Sequence, residues 1–169
     1  MIVIVAGVSG SGKTTVGELL AARLSWHFID GDALHPQANV AKMASGIPLT
    51  DADRMPWLRA IEAWIDGQLA MGLPGVVACS ALKRQYRAEL LDSRPEVSMA
   101  FLLIGAPVVA DRLAARHGHF FDAHLLGSQF SVLEQPGPGE DRVQPIPVTA
   151  TASPADLVDE IIARLGLVE

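Results

Sequence analysis

Gly7-Val8-Ser9-Gly10-Ser11-Gly12-Lys13-Thr14 is a complete G-x-x-x-x-G-K-[ST] phosphate loop, and its flanks decide the fold. The run Met1-Ile2-Val3-Ile4-Val5-Ala6 before it reads as a buried β-strand. After it, Thr15 to Leu24 carries apolar residues at helical spacing. Strand, glycine-rich turn and helix in that order predict a bound nucleoside triphosphate. Gly7, Gly10 and Gly12 let backbone N–H groups turn inward around a β-phosphate, and the helix N-terminus adds a positive dipole. Lys13 is expected to reach the β- and γ-phosphates, and the Thr14 hydroxyl to bind Mg²⁺ directly.

Outward from the loop, apolar strand-like runs recur at residues 2–6, Trp26 to Ile29, Gly75 to Cys79, Met99 to Ile104 and Ile146 to Thr149, with helical segments between them. Such alternation predicts an α/β fold, a parallel sheet covered by helices on both faces, with ligands gathered at the carboxyl ends of the strands. Asp51 or Asp53 is expected to cap a helix running to about Leu69, with Trp57, Ile61, Trp64, Ile65 and Leu69 on its core face. Pro107 opens another helix, through Arg116, and Pro154 opens the last. Pro136-Gly137-Pro138-Gly139 reads as a surface loop.

A length of 169 residues fits one domain, and half the residues are hydrophobic against 19% charged, as in a packed enzyme-like globule. The net charge of −6 argues against nucleic acid as a partner. No stretch is long and apolar enough to span a membrane, and the first residues lack the pattern of a signal peptide. With Cys79 alone there is no internal disulfide and no cysteine-based metal cluster, which fits a reducing cytoplasm. The oligomeric state is left open, a homodimer included.

The third strand ends in Cys79-Ser80, without the carboxylate that many nucleotide hydrolases use for Mg²⁺ at that place. Ile29-Asp30-Gly31-Asp32 supplies two. Spaced two apart, they point the same way in an extended chain, so one can hold a Mg²⁺-bound water while the other accepts a hydrogen bond from an attacking hydroxyl. The plain alternative is a solvated turn. His35, Lys42, Arg54, Lys83, Arg84 and Arg87 fall in segments expected to flank the site. Arg54, Lys83 and Arg87 have no obvious acidic partner, which predicts an anionic acceptor; the alternative is that Ser80 to Lys83 caps a helix and the cations are solvated. Cys79 reads as a small buried residue. Arg112, Arg116, His117, Gly118, His119 and Phe120-Phe121, with the helical run Ala123 to Leu133, read as a basic lid over residues 112–134; a solvated helix face is the alternative.

Taken together, the loop Gly7 to Lys13, Asp30-Gly31-Asp32-Ala33-Leu34-His35-Pro36, Asn39, Lys42 to Leu49, Asp51, Asp53-Arg54, Pro56-Trp57-Leu58 and Cys79-Ser80-Ala81-Leu82-Lys83-Arg84-Gln85-Tyr86-Arg87 resemble the bacterial gluconokinases, relatives of shikimate and nucleoside monophosphate kinases. Gly118-His119-Phe120, Ser128-Gln129-Phe130 and Leu133-Glu134 are similar to the lid region of that family, so the resemblance covers about the first 135 residues. It implies a kinase using ATP and Mg²⁺ on D-gluconate, with residues Gly7 to Thr15 and the lid arginines Arg112 and Arg116 around the nucleotide. Lys13, Asp32 and Arg116 are then the expected catalytic residues. Thr14 and Asp30 go to the metal, and Asp32, His35, Asn39, Arg54, Lys83 and Arg87 to the acceptor. Kinases for shikimate, adenylylsulfate or nucleotides share the loop and an anion-reading site. A nucleotide-dependent switch is a different class, but no Asn-Lys-x-Asp motif is present, nor an Asp-x-x-Gly motif after the third strand.

Overall fold

In the computed structural model, residues 1–115 and 123–168 are described, with side-chain detail for 1–111 and 127–168. Five strands, β1 (Ile2–Ala6), β2 (His27–Asp30), β3 (Gly75–Cys79), β4 (Val97–Ile104) and β5 (Val143–Val148), form one parallel sheet in the order β2-β3-β1-β4-β5. Among the described residues the α-helices that accompany them are α1 (Lys13–Leu24), α2 (Gln37–Ala44), α3 (Asp51–Ala70), α4 (Arg84–Leu91), α5 (Ala106–Ala115), α6 (Ala123–Val132) and α7 (Pro154–Leu165).

Every residue of β1 and β3 is buried, as continuous apolar strands require when helices cover both faces. Alternate β3 residues look to opposite sides: Val76 lies against Gly17 of α1, and Gly75 lies against Trp64 of α3. Helix α7 joins α1, α3 carries the fully buried Trp57, Ile61 and Ile65, and the loops after β1, β2 and β3 emerge together at the carboxyl edge.

The expected strands are all present, with β4 beginning two residues early and β5 three. The expected caps of α3 are corrected. Thr50 is the N-cap, and it shares a capping box with Asp53, whose carboxylate accepts from Thr50 N–H at 2.9 Å while the Thr50 hydroxyl accepts from Asp53 N–H at 3.2 Å. A hydroxyl three residues before a carboxylate satisfies two orphan N–H groups at once, which a lone aspartate cap does not. Helix α2 was not anticipated. Among the described residues, no helix is long and apolar enough to cross a membrane.

Candidate active site

The loop between β1 and α1 is tied to the end of β3 by Gly7 N–H donating to the Ser80 carbonyl at 3.3 Å. Gly12, the N-cap of α1, has φ 99°, a left-handed conformation that a side chain would strain, and it starts the helix with its amides facing the cleft. Lys13 Nζ donates to the Val8 carbonyl at 3.0 Å, folding back over the loop. Burial lowers its pKa from the usual lysine value, and nearby Asp32 and Asp30 oppose that shift.

The second strand stops at Asp30 because the chain turns into a short 3-10 segment, Gly31–Leu34, with Asp30 as its N-cap. One carboxylate oxygen of Asp30 accepts from Asp32 N–H at 2.9 Å, and the other accepts from the Thr14 hydroxyl at 2.9 Å. The extended-chain argument for Asp30 and Asp32 is therefore corrected: they share no strand face. Asp30 is directed to Thr14, and Asp32, carried on the turn, lines a cavity with Lys13. A Cβ at position 31 would come within 2.6 Å of the Ala78 carbonyl, so glycine is what lets this turn pass so close to β3. Trp57 Nε1 donates to the Gly31 carbonyl at 2.8 Å, and its ring stacks on His35 with centroids 4.6 Å apart. The core tryptophan of α3 thus fixes both the turn and the histidine.

A hydroxyl and a carboxylate oxygen side by side at the start of α1 are the hard donors that Mg²⁺ takes when phosphates and waters complete its shell. Among the described residues, no cluster of three His, Cys, Asp or Glu offers an alternative metal site.

The cavity beside the loop has a volume of about 220 Å³ and is lined by Ser9, Lys13, Asp32, His35, Arg54 and Gln129, with an apolar rim from residues 43–49. Of the acceptor residues expected from the sequence, Asp32, His35 and Arg54 meet there. Burial holds His35 below the ordinary histidine pKa, a shift that Asp32 opposes and Arg54 reinforces. Arg54 has no ion pair among the described residues and stands 6.0 Å from the Tyr86 ring centre.

The other three do not line it. Asn39 is buried, donates to the Asp53 carbonyl at 2.8 Å and lies 3.3 Å from His35 Nδ1, so it braces His35 from behind. Lys83 is paired with Asp51 at 2.7 Å, and Asp51 also accepts from the Tyr86 hydroxyl; both bonds lower the Asp51 pKa. Arg87 is wholly buried. Its guanidinium meets both Glu140 oxygens, at 2.6 and 2.9 Å, and donates to the Leu82 and Glu134 carbonyls at 3.0 and 2.8 Å. The expectation that Lys83 and Arg87 lack internal partners is thus overturned, because each is satisfied by a carboxylate remote in sequence. Cys79 is buried, and burial pushes its thiol up to about 12, in line with a packing role. The Arg112 side chain, Arg116 and the segment His117 to Phe121 lie outside the described residues.

One contact had no signal in the sequence. Ser9 N–H, on the phosphate loop, donates to Gln129 Oε1 at 2.6 Å across 120 residues of chain.

The family described as AAA domain matches residues 2–136. A gluconokinase of Gluconobacter oxydans (strain 621H) is 46% identical over 94% of this chain and 88% of its own length. The thermoresistant gluconokinase of Escherichia coli (strain K12) is 43% identical over 84% of this chain and 81% of its own. A crystal structure of a gluconokinase from Sinorhizobium meliloti 1021 superposes with a TM-score of 0.85 at 45% identity, covering 97% of this chain and 90% of that one.

Proposed function

The chain belongs to the gluconokinase family, and on that premise we propose that it transfers the γ-phosphoryl group of ATP to the 6-hydroxyl of D-gluconate, giving 6-phospho-D-gluconate and ADP. The observation that carries this reading is the cavity in which the phosphate-loop lysine, Lys13, shares one space with Asp32 and Arg54. Phosphoryl transfer needs a phosphate cradle and an acceptor pocket in direct communication, and little covalent help from the protein.

In this reading residues Gly7 to Thr15 cradle the phosphates and Lys13 neutralises charge as it moves onto the β-phosphate side. Mg²⁺, held through Thr14 and Asp30, would supply further neutralisation of the phosphate oxygens. Arg112 and Arg116 complete the expected cationic set there. Asp32 orients the acceptor hydroxyl and takes its proton late, since an alcohol is too weak an acid to ionise early. Arg54 attracts the carboxylate of the acid. The buried lone Cys79 suits a reducing compartment, and the reading puts the enzyme in the cytoplasm.

The reading is tested by phosphorus NMR of the product formed from ATP and D-gluconate. A monoester coupled to the protons on C6 is expected; a phosphoryl group on another carbon, or no ester, would overturn it.

A further inference from the structure

Gln129 joins the two halves of the site. Helix α6 is anchored just past its C-terminal end: Glu134 N–H donates to the Leu82 carbonyl at 3.0 Å, Arg84 N–H donates to the Glu134 carboxylate at 2.6 Å, and Arg87 holds the Glu134 carbonyl. Phe130 and Leu133 pack against the core. From this anchorage Gln129 reaches the phosphate loop. Its Oε1 accepts from Ser9 N–H, and because a backbone N–H can donate only to the oxygen of the amide, the orientation of that amide is settled. Nε2 then has two protons and no hydrogen-bond partner among the described residues, and Gln129 lines the cavity that holds Asp32 and Arg54. Cations there suit charged groups; a neutral amide donor suits the lone pairs of a hydroxyl.

We propose that Gln129 is a specificity-determining residue for the acceptor: Nε2 donates to one hydroxyl oxygen of the polyhydroxy acid, while Oε1 ties that bond to the phosphate loop through Ser9. One planar group then bridges the sugar chain and the outer turn of the loop. This rests on the gluconate-kinase reading above.

The test uses Gln129→Met, similar in length but without the amide, and D-gluconate together with its monodeoxy derivatives as acceptors. The KM for gluconate is expected to rise roughly 10- to 100-fold with the KM for ATP within about twofold of the unaltered protein. The unaltered protein should also reject one monodeoxy acid by at least about tenfold, and Gln129→Met should treat that acid and gluconate alike, since a site built to bond a hydroxyl penalises its loss. Should Gln129→Met fail to fold, Gln129→Glu keeps an oxygen for Ser9 N–H, removes the donors, and must show the same loss of discrimination. A folded variant whose gluconate KM stays within about twofold, or whose ATP KM rises as much as its gluconate KM, would overturn the proposal. Failure of the unaltered protein to phosphorylate gluconate would instead sink the reading on which it rests.

Discussion

The two walls of the cleft are built differently. On the phosphate side the loop, its lysine and the hydroxyl beside it come from eight consecutive residues, between a wholly buried strand and the helix that follows. On the proposed acceptor side Asp32 and His35 from one turn, Arg54 from α3 and Gln129 from α6 arrive from three separate segments, held by contacts such as Trp57 to Gly31 and Asn39 to Asp53. The first wall is a local motif; the second is a product of packing. A cation on the second wall therefore has no fixed meaning in sequence. Arg54 faces the cavity, whereas Arg87, in an equally suggestive segment, is spent inside the protein on Glu140.

Arg87→Ala should give the largest effect on stability. Removing one member of a buried ion pair strands its partner, so a loss of about 3–5 kcal/mol in urea-unfolding free energy is expected. A stable, correctly folded variant with a raised gluconate KM would return Arg87 to the acceptor site. Lys13→Ala should leave stability nearly intact and lower kcat/KM on the order of 100-fold or more, as loss of one preorganised electrostatic partner does. Activity within about threefold of the unaltered enzyme would remove Lys13 from the chemistry.

For Arg54→Ala the expected change is a rise of roughly tenfold or more in gluconate KM, the cost of one charge-assisted hydrogen bond, with the melting temperature unmoved. A melting shift without a KM shift would make Arg54 another Arg87. The smallest effect is a pH dependence. Arg87 holds the Glu140 carboxyl below its ordinary value of 4.5, so the pair contributes stability above pH 4.5 and loses it as pH falls through the lowered value. Glu140→Gln should be less stable than the unaltered protein near neutrality, with the gap closing below pH 4.5; a gap that widens on acidification would contradict the pairing.

The difference between the walls also explains what could be read in advance. The strands and α3 were legible because a buried parallel strand is a continuous apolar run and a core helix repeats its apolar residues. The meeting of Thr14 with Asp30 was legible because a phosphate loop is local and the second strand ends beside it. The turn that separates Asp32 from Asp30 was hidden, since its cause is the close pass of Gly31 over β3, a contact across 47 residues of chain. The fates of Lys83 and Arg87 were hidden for the same reason: Asp51 and Glu140 carry no local mark of their partners. Gln129 is the extreme case, a residue of α6 whose hydrogen bond to Ser9 exists only in the fold.

In the proposed reaction the acceptor wall reads an anionic sugar acid while the phosphate wall delivers the phosphoryl group. ADP release by the unaltered protein, followed with ATP, Mg²⁺ and either D-gluconate or D-glucose, tests it most directly. The two acceptors share the 6-hydroxyl, but glucose is closed into a ring and lacks the carboxylate that Arg54 is proposed to attract. Rapid release is expected with gluconate, and a kcat/KM for glucose lower by roughly 100-fold or more, since a cation in the site would be left unpaired. Equal turnover of glucose and gluconate, or release of ADP that neither acceptor accelerates, would contradict it.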